Sequence, residues 1–145
     1  KMSVSQKIKC YLPDESVAQK HPFFSGGIKA GFPSPAADFE ENKISLDKTL
    51  VKNTEATFYA KAVGNSMTGA GIDDGDILVI DRSLEPVHDK IAVCLIDGEF
   101  TVKRIKKEGE ALFLMPENSN YKPIEVNLHN DFTVWGIVTY IIKKV

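Results

Sequence analysis

Lys90-Ile91-Ala92-Val93-Cys94-Leu95-Ile96-Asp97-Gly98-Glu99-Phe100-Thr101-Val102-Lys103-Arg104-Ile105 is the stretch that decides the fold. Two apolar, β-branched segments flank Asp97-Gly98, a pair able to supply the positive φ that both central positions of a type I′ turn require. The spacing predicts strands over 90–96 and 99–105, joined as a hairpin. Working outward, Thr57-Phe58-Tyr59-Ala60-Lys61-Ala62-Val63 predicts a strand over 57–63, and Asp76-Ile77-Leu78-Val79-Ile80-Asp81 another over 76–81. Strands over 111–115 and 132–142 complete the set. Helical periodicity of any length is absent from the second half. Residues 1–35 read differently, because Pro13, Pro22, Pro33, Pro35 and the pair Gly26-Gly27 interrupt any sustained period. That composition implies an extended, flexible N-terminal arm, with no room for a helix-turn-helix. Ser34 as N-cap and Pro35 at the first helical position mark a short helical candidate over 34–40, and Leu46 and Leu50 a second short turn. The expected fold class is mainly β: a single bent antiparallel β domain behind a flexible N-terminal arm.

Composition sets outer limits. A chain of 145 residues with 43% hydrophobic and 26% charged residues fits one globular domain with length to spare for an arm. A formal charge of −2 offers no basic field for phosphate backbones, so direct DNA binding is not expected. The two cysteines, Cys10 in the arm and Cys94 in an apolar strand, form no disulfide framework and point to a reducing, cytoplasmic setting. No apolar run reaches the length of a membrane span, and no secretory h-region opens the chain. No membrane partner is expected.

Two segments bear chemistry. Ser66 lies in Val63-Gly64-Asn65-Ser66-Met67, a small-residue turn that can expose a hydroxyl beside free backbone N–H groups. It can equally be a helix N-cap. The N–H groups of Ser66 and Met67 are the ones an oxyanion hole would use once that hydroxyl attacks a carbonyl. Lys103 sits in Phe100-Thr101-Val102-Lys103-Arg104-Ile105, where alternation puts Glu99, Thr101, Lys103 and Ile105 on one face. It can be a solvated hairpin residue. A lysine acting as general base must instead be neutral near pH 7, and burial against apolar neighbours favours that form. A serine and a lysine used together are a known variant of the serine-hydrolase arrangement.

The segments Asn65-Ser66-Met67, Gly75-Asp76-Ile77-Leu78-Val79 and Asp97-Gly98-Glu99-Phe100-Thr101-Val102-Lys103 resemble the self-cleaving peptidase domain shared by LexA-type repressors and UmuD proteins. The likeness continues through Leu114-Met115-Pro116-Glu117-Asn118 and Val134-Trp135-Gly136-Ile137-Val138, and covers residues 31–145 almost continuously. Gly31-Phe32-Pro33-Ser34-Pro35-Ala36-Ala37-Asp38 looks like the start of a processed UmuD fragment, and the stretch before it is too short for a repressor's DNA-binding domain. The resemblance implies Ser66 as nucleophile, Lys103 as base and Ala30-Gly31 as the bond cut. Residues 1–30 would then be removed and 31–145 retained. UmuD proteins often have Cys-Gly at that bond, whereas Ala-Gly is the repressor-like form, and both present a small residue. Cleavage could run in cis or, within a homodimer, in trans.

The same resemblance implies a homodimer, stimulation by a RecA–single-stranded DNA filament during the SOS response, and a UmuC-like Y-family polymerase as partner. The edge near the C-terminal strand, around Trp135 to Ile142, is expected to supply the dimer contact. No cofactor is implied. Competing readings are a signal-peptidase-like enzyme, which would carry a membrane anchor, and a non-catalytic polymerase-accessory or antirepressor module. A Ser/His/Asp triad would have to draw on His21, His88 or His129, all placed in polar loops or turns. Asp73, Asp74 and Asp76 form an acidic turn without the remaining ligands of a calcium loop, and the scattered cysteines and histidines give no metal site.

Overall fold

The computed structural model describes residues 7–13, 19–24, 30–31, 41–126 and 132–145. Their strands are β1 (Lys7–Tyr11), β2 (His21–Phe24), β3 (Glu41–Ile44), β4 (Thr57–Val63), β5 (Ile77–Asp81), β6 (Ile91–Ile96), β7 (Glu99–Glu108), β8 (Ala111–Met115), β9 (Ile124–Val126) and β10 (Phe132–Ile142). One short helix, α1, spans Leu46–Leu50. The chain forms two compact units, one of residues 14–52 and the other of the remainder. No helix among the described residues is long and apolar enough to cross a membrane.

The larger unit holds one eight-stranded sheet in the order β1-β4-β5-β10-β6-β7-β8-β9. Every neighbouring pair is antiparallel. The mainly antiparallel β architecture implied by the alternating pattern is therefore present, with one large sheet. Asp97 and Gly98 adopt φ of 49° and 83°, as the turn joining β6 to β7 demands. In the smaller unit, β2 and β3 pair antiparallel with His21 opposite Ile44.

The arm departs in part from the sequence expectation. Residues 7–11 are hydrogen-bonded to β4 along its length, with Cys10 opposite Ala60, and residues 21–24 form the second strand pair. Backbone pairing can recruit a short polar segment that has no apolar period of its own. The helical candidate over 34–40 lies outside the described residues, while the turn at Leu46 and Leu50 is α1. β10 lies between β5 and β6, paired with β6 over Phe132–Ile137 and with β5 over Ile137–Ile142.

The sheet is covered on both faces around β6 and β7. Val93 and Val102 are cross-strand partners and join Ala60, Ala62, Met67, Ile72, Leu78 and Ile80 in one core. On the other face Ala92, Cys94, Ile105, Leu114 and Ile137 form a second. β10 closes the first core with Trp135, whose ring lies 5.0 Å from that of Phe58 and 5.3 Å from that of Phe100. Arg82 stacks over this indole at 4.4 Å and donates from Nε to the Trp135 carbonyl. The next residue, Gly136, leaves no space: an added Cβ would meet Ile80 Cγ2 at 2.5 Å. Gly136→Ala should therefore lower the free energy of unfolding by about 1–3 kcal/mol, the usual cost of overpacking. Urea denaturation checks this, and an unchanged midpoint would show that β5 and β10 separate freely.

Candidate functional site

The Ser66 turn is held from three directions. β4 ends at Val63, and the Gly64 N–H donates to Asp74 Oδ1 at 2.8 Å. Met67 is fully buried in the first core, and its carbonyl accepts from the N–H groups of Ala70 (3.0 Å) and Ile72 (3.2 Å). Burying Met67 drives its neighbour inward too, so Ser66 is 0% exposed. The third direction is the segment after β8. The Glu117 N–H donates to the Ser66 carbonyl (2.8 Å), and the Gly69 N–H donates to the Glu117 carbonyl (2.6 Å). A Cβ at Gly69 would fall on that carbonyl oxygen, so the close approach needs glycine. Asn118 Nδ2 donates to the Asn65 carbonyl (2.8 Å), and the Tyr121 hydroxyl to Asn65 Oδ1 (2.6 Å).

Ser66 Oγ, by contrast, is buried and makes no hydrogen bond. The short 3₁₀ turn Thr68–Ala70 has Met67 at its N-cap position and no side-chain cap, so Ser66 is not a helix cap. Leaving a buried hydroxyl unpaired costs about 1–3 kcal/mol and calls for an explanation. Among the described residues, neither the Ser66 nor the Met67 N–H donates to another backbone group.

Lys103 stands opposite Ala92 in the β6–β7 ladder and is 3% exposed. Its face also holds Thr101, Ile105 and Cys94, and the hydroxyl of Thr101 is likewise buried without a partner. Burial holds the Lys103 amine below the ordinary lysine value. A Cys94 thiolate would oppose this, but burial pushes that thiol up to about 12, so near neutral pH it carries no charge. No carboxylate pairs with Lys103 among the described residues. The amine therefore lacks the partner that would keep it protonated.

The two residues come from distant strands, and the β8–β9 segment joins their surroundings. Arg104, next to Lys103, pairs with Met115 in the β7–β8 ladder, and two residues past Met115 the Glu117 backbone grips the Ser66 turn. Arg104 Nε also donates to the Glu117 carboxylate. An open cavity of about 350 Å³ adjoins this junction, lined by Met115, Pro116, Glu117, Asn118, Ser119, Tyr121 and Pro123. Ala30 and Gly31 belong to the smaller unit, where they form an exposed bend with Gly31 at φ 91°.

Other candidates fare differently. His88 is an exposed turn residue whose Nδ1 accepts from the Lys107 N–H. His21 is exposed but sits in β2 and not in a loop, and His129 lies outside the described residues. Lys143 bridges Asp73 (2.6 Å) and Asp76 (2.5 Å) in the acidic turn. Among the described residues no cluster of His, Cys, Asp or Glu is placed to hold a metal. Sequence reasoning missed Glu117, Asn118 and Tyr121, whose contacts with the Ser66 turn span most of the domain and leave no local pattern.

This arrangement of an unpaired serine and a desolvated amine on an antiparallel sheet fits a serine peptidase of the self-cleaving kind, and comparison with known proteins agrees. The Peptidase S24-like profile matches residues 22–139, and the chain belongs to that family. It is 36% identical over 124 residues to Protein ImpA of Escherichia coli, spanning 85% of this chain and 83% of that protein. It is 39% identical over 120 residues to Protein MucA of Escherichia coli, spanning 82% of each, and 35% identical over 130 residues to Protein SamA of Salmonella typhimurium, spanning 90% of each. These relatives are UmuD-family proteins, which supports a UmuD-family role in SOS mutagenesis.

The buried amine has a thermodynamic signature. Because its folded-state value lies below the ordinary 10.5, the unfolded chain binds this proton more tightly, and stability should rise with pH through the window between the two values. Lys103→Met removes the ionisation. Its stability advantage over the wild type should be largest near pH 7 and should narrow toward pH 10.5. Urea titrations across this range test it, and a gap that stays constant would show the amine to be solvated.

Proposed function

We propose that this protein cuts its own chain between Ala30 and Gly31, with Ser66 as nucleophile and Lys103 as general base. The observation that supports the reading best is the buried, unpartnered Ser66 hydroxyl in a turn tied to the strand of a desolvated lysine. Neutral Lys103 accepts the Ser66 proton as Oγ attacks the Ala30 carbonyl carbon. The oxyanion is held by the N–H groups of Ser66 and Met67. Collapse of the intermediate breaks the C–N bond, and protonated Lys103 gives its proton to the Gly31 amine. Water, deprotonated by Lys103, then releases residues 1–30 from the acyl-enzyme. Because substrate and site share one chain or one dimer, high effective concentration compensates for slow chemistry.

In this reading a RecA–single-stranded DNA filament stimulates the cut in the cytoplasm. The processed homodimer of residues 31–145 then serves as accessory subunit of a UmuC-like, error-prone Y-family polymerase. Membership of the S24-like family and the likeness to UmuD-family relatives support this assignment.

Incubating the purified chain at pH 9–10 should yield a fragment beginning at Gly31, identified by N-terminal sequencing. The rate should rise with pH as Lys103 loses its proton, with the midpoint below the ordinary lysine value of 10.5. Ser66→Ala should abolish the fragment, since no acyl-enzyme can form, and Lys103→Ala should slow it by roughly 10²–10⁴-fold. A chain that stays intact both in alkali and with activated RecA filament would favour the non-catalytic accessory module.

A further inference from the structure

We propose that Glu117 is a positioning residue that holds the Ser66 turn in register with Lys103, an inference that rests on the Ser/Lys reading above. Its backbone grips both ends of the turn, donating to the Ser66 carbonyl (2.8 Å) and accepting from the Gly69 N–H (2.6 Å). Its carboxylate accepts from Arg104 Nε, and Arg104 is covalently next to Lys103. Alternation along β7 points Arg104 to the face opposite Lys103, so the guanidinium does not share the amine's pocket while its Cα moves with that of the base. Arg104 is itself fixed, because its Nη1 donates to the Asp89 carbonyl (2.6 Å) while the Asp89 N–H donates to the Ile105 carbonyl (2.8 Å).

The result is a closed path from nucleophile to base. It runs from the Ser66 carbonyl through the Glu117 backbone and carboxylate to Arg104 and Lys103. Each link is a hydrogen bond or a covalent bond. Asn118 and Tyr121 extend the grip to Asn65. Glu117 bonds to the Ser66 turn through its backbone and to Arg104 through its carboxylate. Without its carboxylate, the segment after β8 would still contact Ser66 but would be referenced to β7 only through the Arg104–Met115 ladder pair two residues away. A displacement of about an ångström between reacting groups costs on the order of 100-fold in rate.

The test follows self-cleavage from pH 6.5 to 11 in the wild type, Glu117→Ala, Arg104→Ala and the charge-swapped double variant Glu117→Arg with Arg104→Glu. A fluorophosphonate that labels Ser66 reports the same pair without the arm. The expected result is a 10- to 100-fold lower alkaline plateau for Glu117→Ala in both assays, with the pH midpoint unchanged. The charge swap should recover at least tenfold over either single variant, which a general loss of fold would not do. A wild-type plateau in Glu117→Ala would overturn the proposal. So would a shifted midpoint at full plateau, since that would make Glu117 a charge acting on the Lys103 proton. Should Glu117→Ala fail to fold, the charge swap decides: a folded swap no faster than Arg104→Ala overturns the claim. Cleavage that persists in Ser66→Ala would instead sink the Ser/Lys reading itself, and this inference with it.

Discussion

The removal of one amine from water sets the terms for everything else in this molecule. Lys103 is buried on a strand covered on both faces, with Ala92 opposite it, Cys94 and Ile105 sharing its side, and Val93 and Val102 packed behind. An ammonium there would give up hydration with no carboxylate to replace it, so the neutral form gains. The neighbouring thiol could have undone this by ionising. Its own burial, which pushes it up to about 12, prevents that. The same apolar wall thus disfavours the charged form of both groups.

Ser66 shows the complementary constraint. A buried hydroxyl without a partner is unfavourable, and Thr101 repeats the feature on the lysine's own face. Such positions persist only when the surroundings over-determine them. Here Met67 drives the turn into the core from one side, while Glu117, Asn118 and Tyr121 fix its backbone from the other. The hydrogen bonds that secure the turn use its main-chain groups or the Asn65 side chain, and none uses Ser66 Oγ. Rigidity is supplied without engaging that hydroxyl.

What could be read from the sequence follows the range of the forces involved. β4, β8 and β10 have the bounds expected, and β5, β6 and β7 are close, because alternation and the Asp97-Gly98 turn act over a few residues. Ser66 and Lys103 stood out through the family pattern, while their local settings left a helix cap and a solvated hairpin residue open. β1, β2, β3 and β9 were not. They are three to five residues long, Pro22 interrupts β2, and partners distant in sequence stabilise them. The Glu117 junction was invisible for the same reason, since nothing local distinguishes Pro116-Glu117-Asn118 from an ordinary turn. Strand order was the largest omission, because a regular period specifies a strand but not its neighbours.

That strand order bears directly on the chemistry. Strands β1, β4 and β5, before the Asp97-Gly98 hairpin, make one half of the sheet, with the Ser66 turn between β4 and β5. Strands β6 to β9 make the other half and hold Lys103 and Glu117. Within the sheet the halves are hydrogen-bonded to each other only through β10, the last strand of the chain, which fits between β5 and β6. Pairing across such a long sequence separation carries a loop-closure cost that local pairings do not. The C-terminal strand is therefore the element that joins the half carrying Ser66 to the half carrying Lys103. Gly136, which lets β10 approach Ile80, and Trp135, which stacks beneath Arg82, make that seating specific.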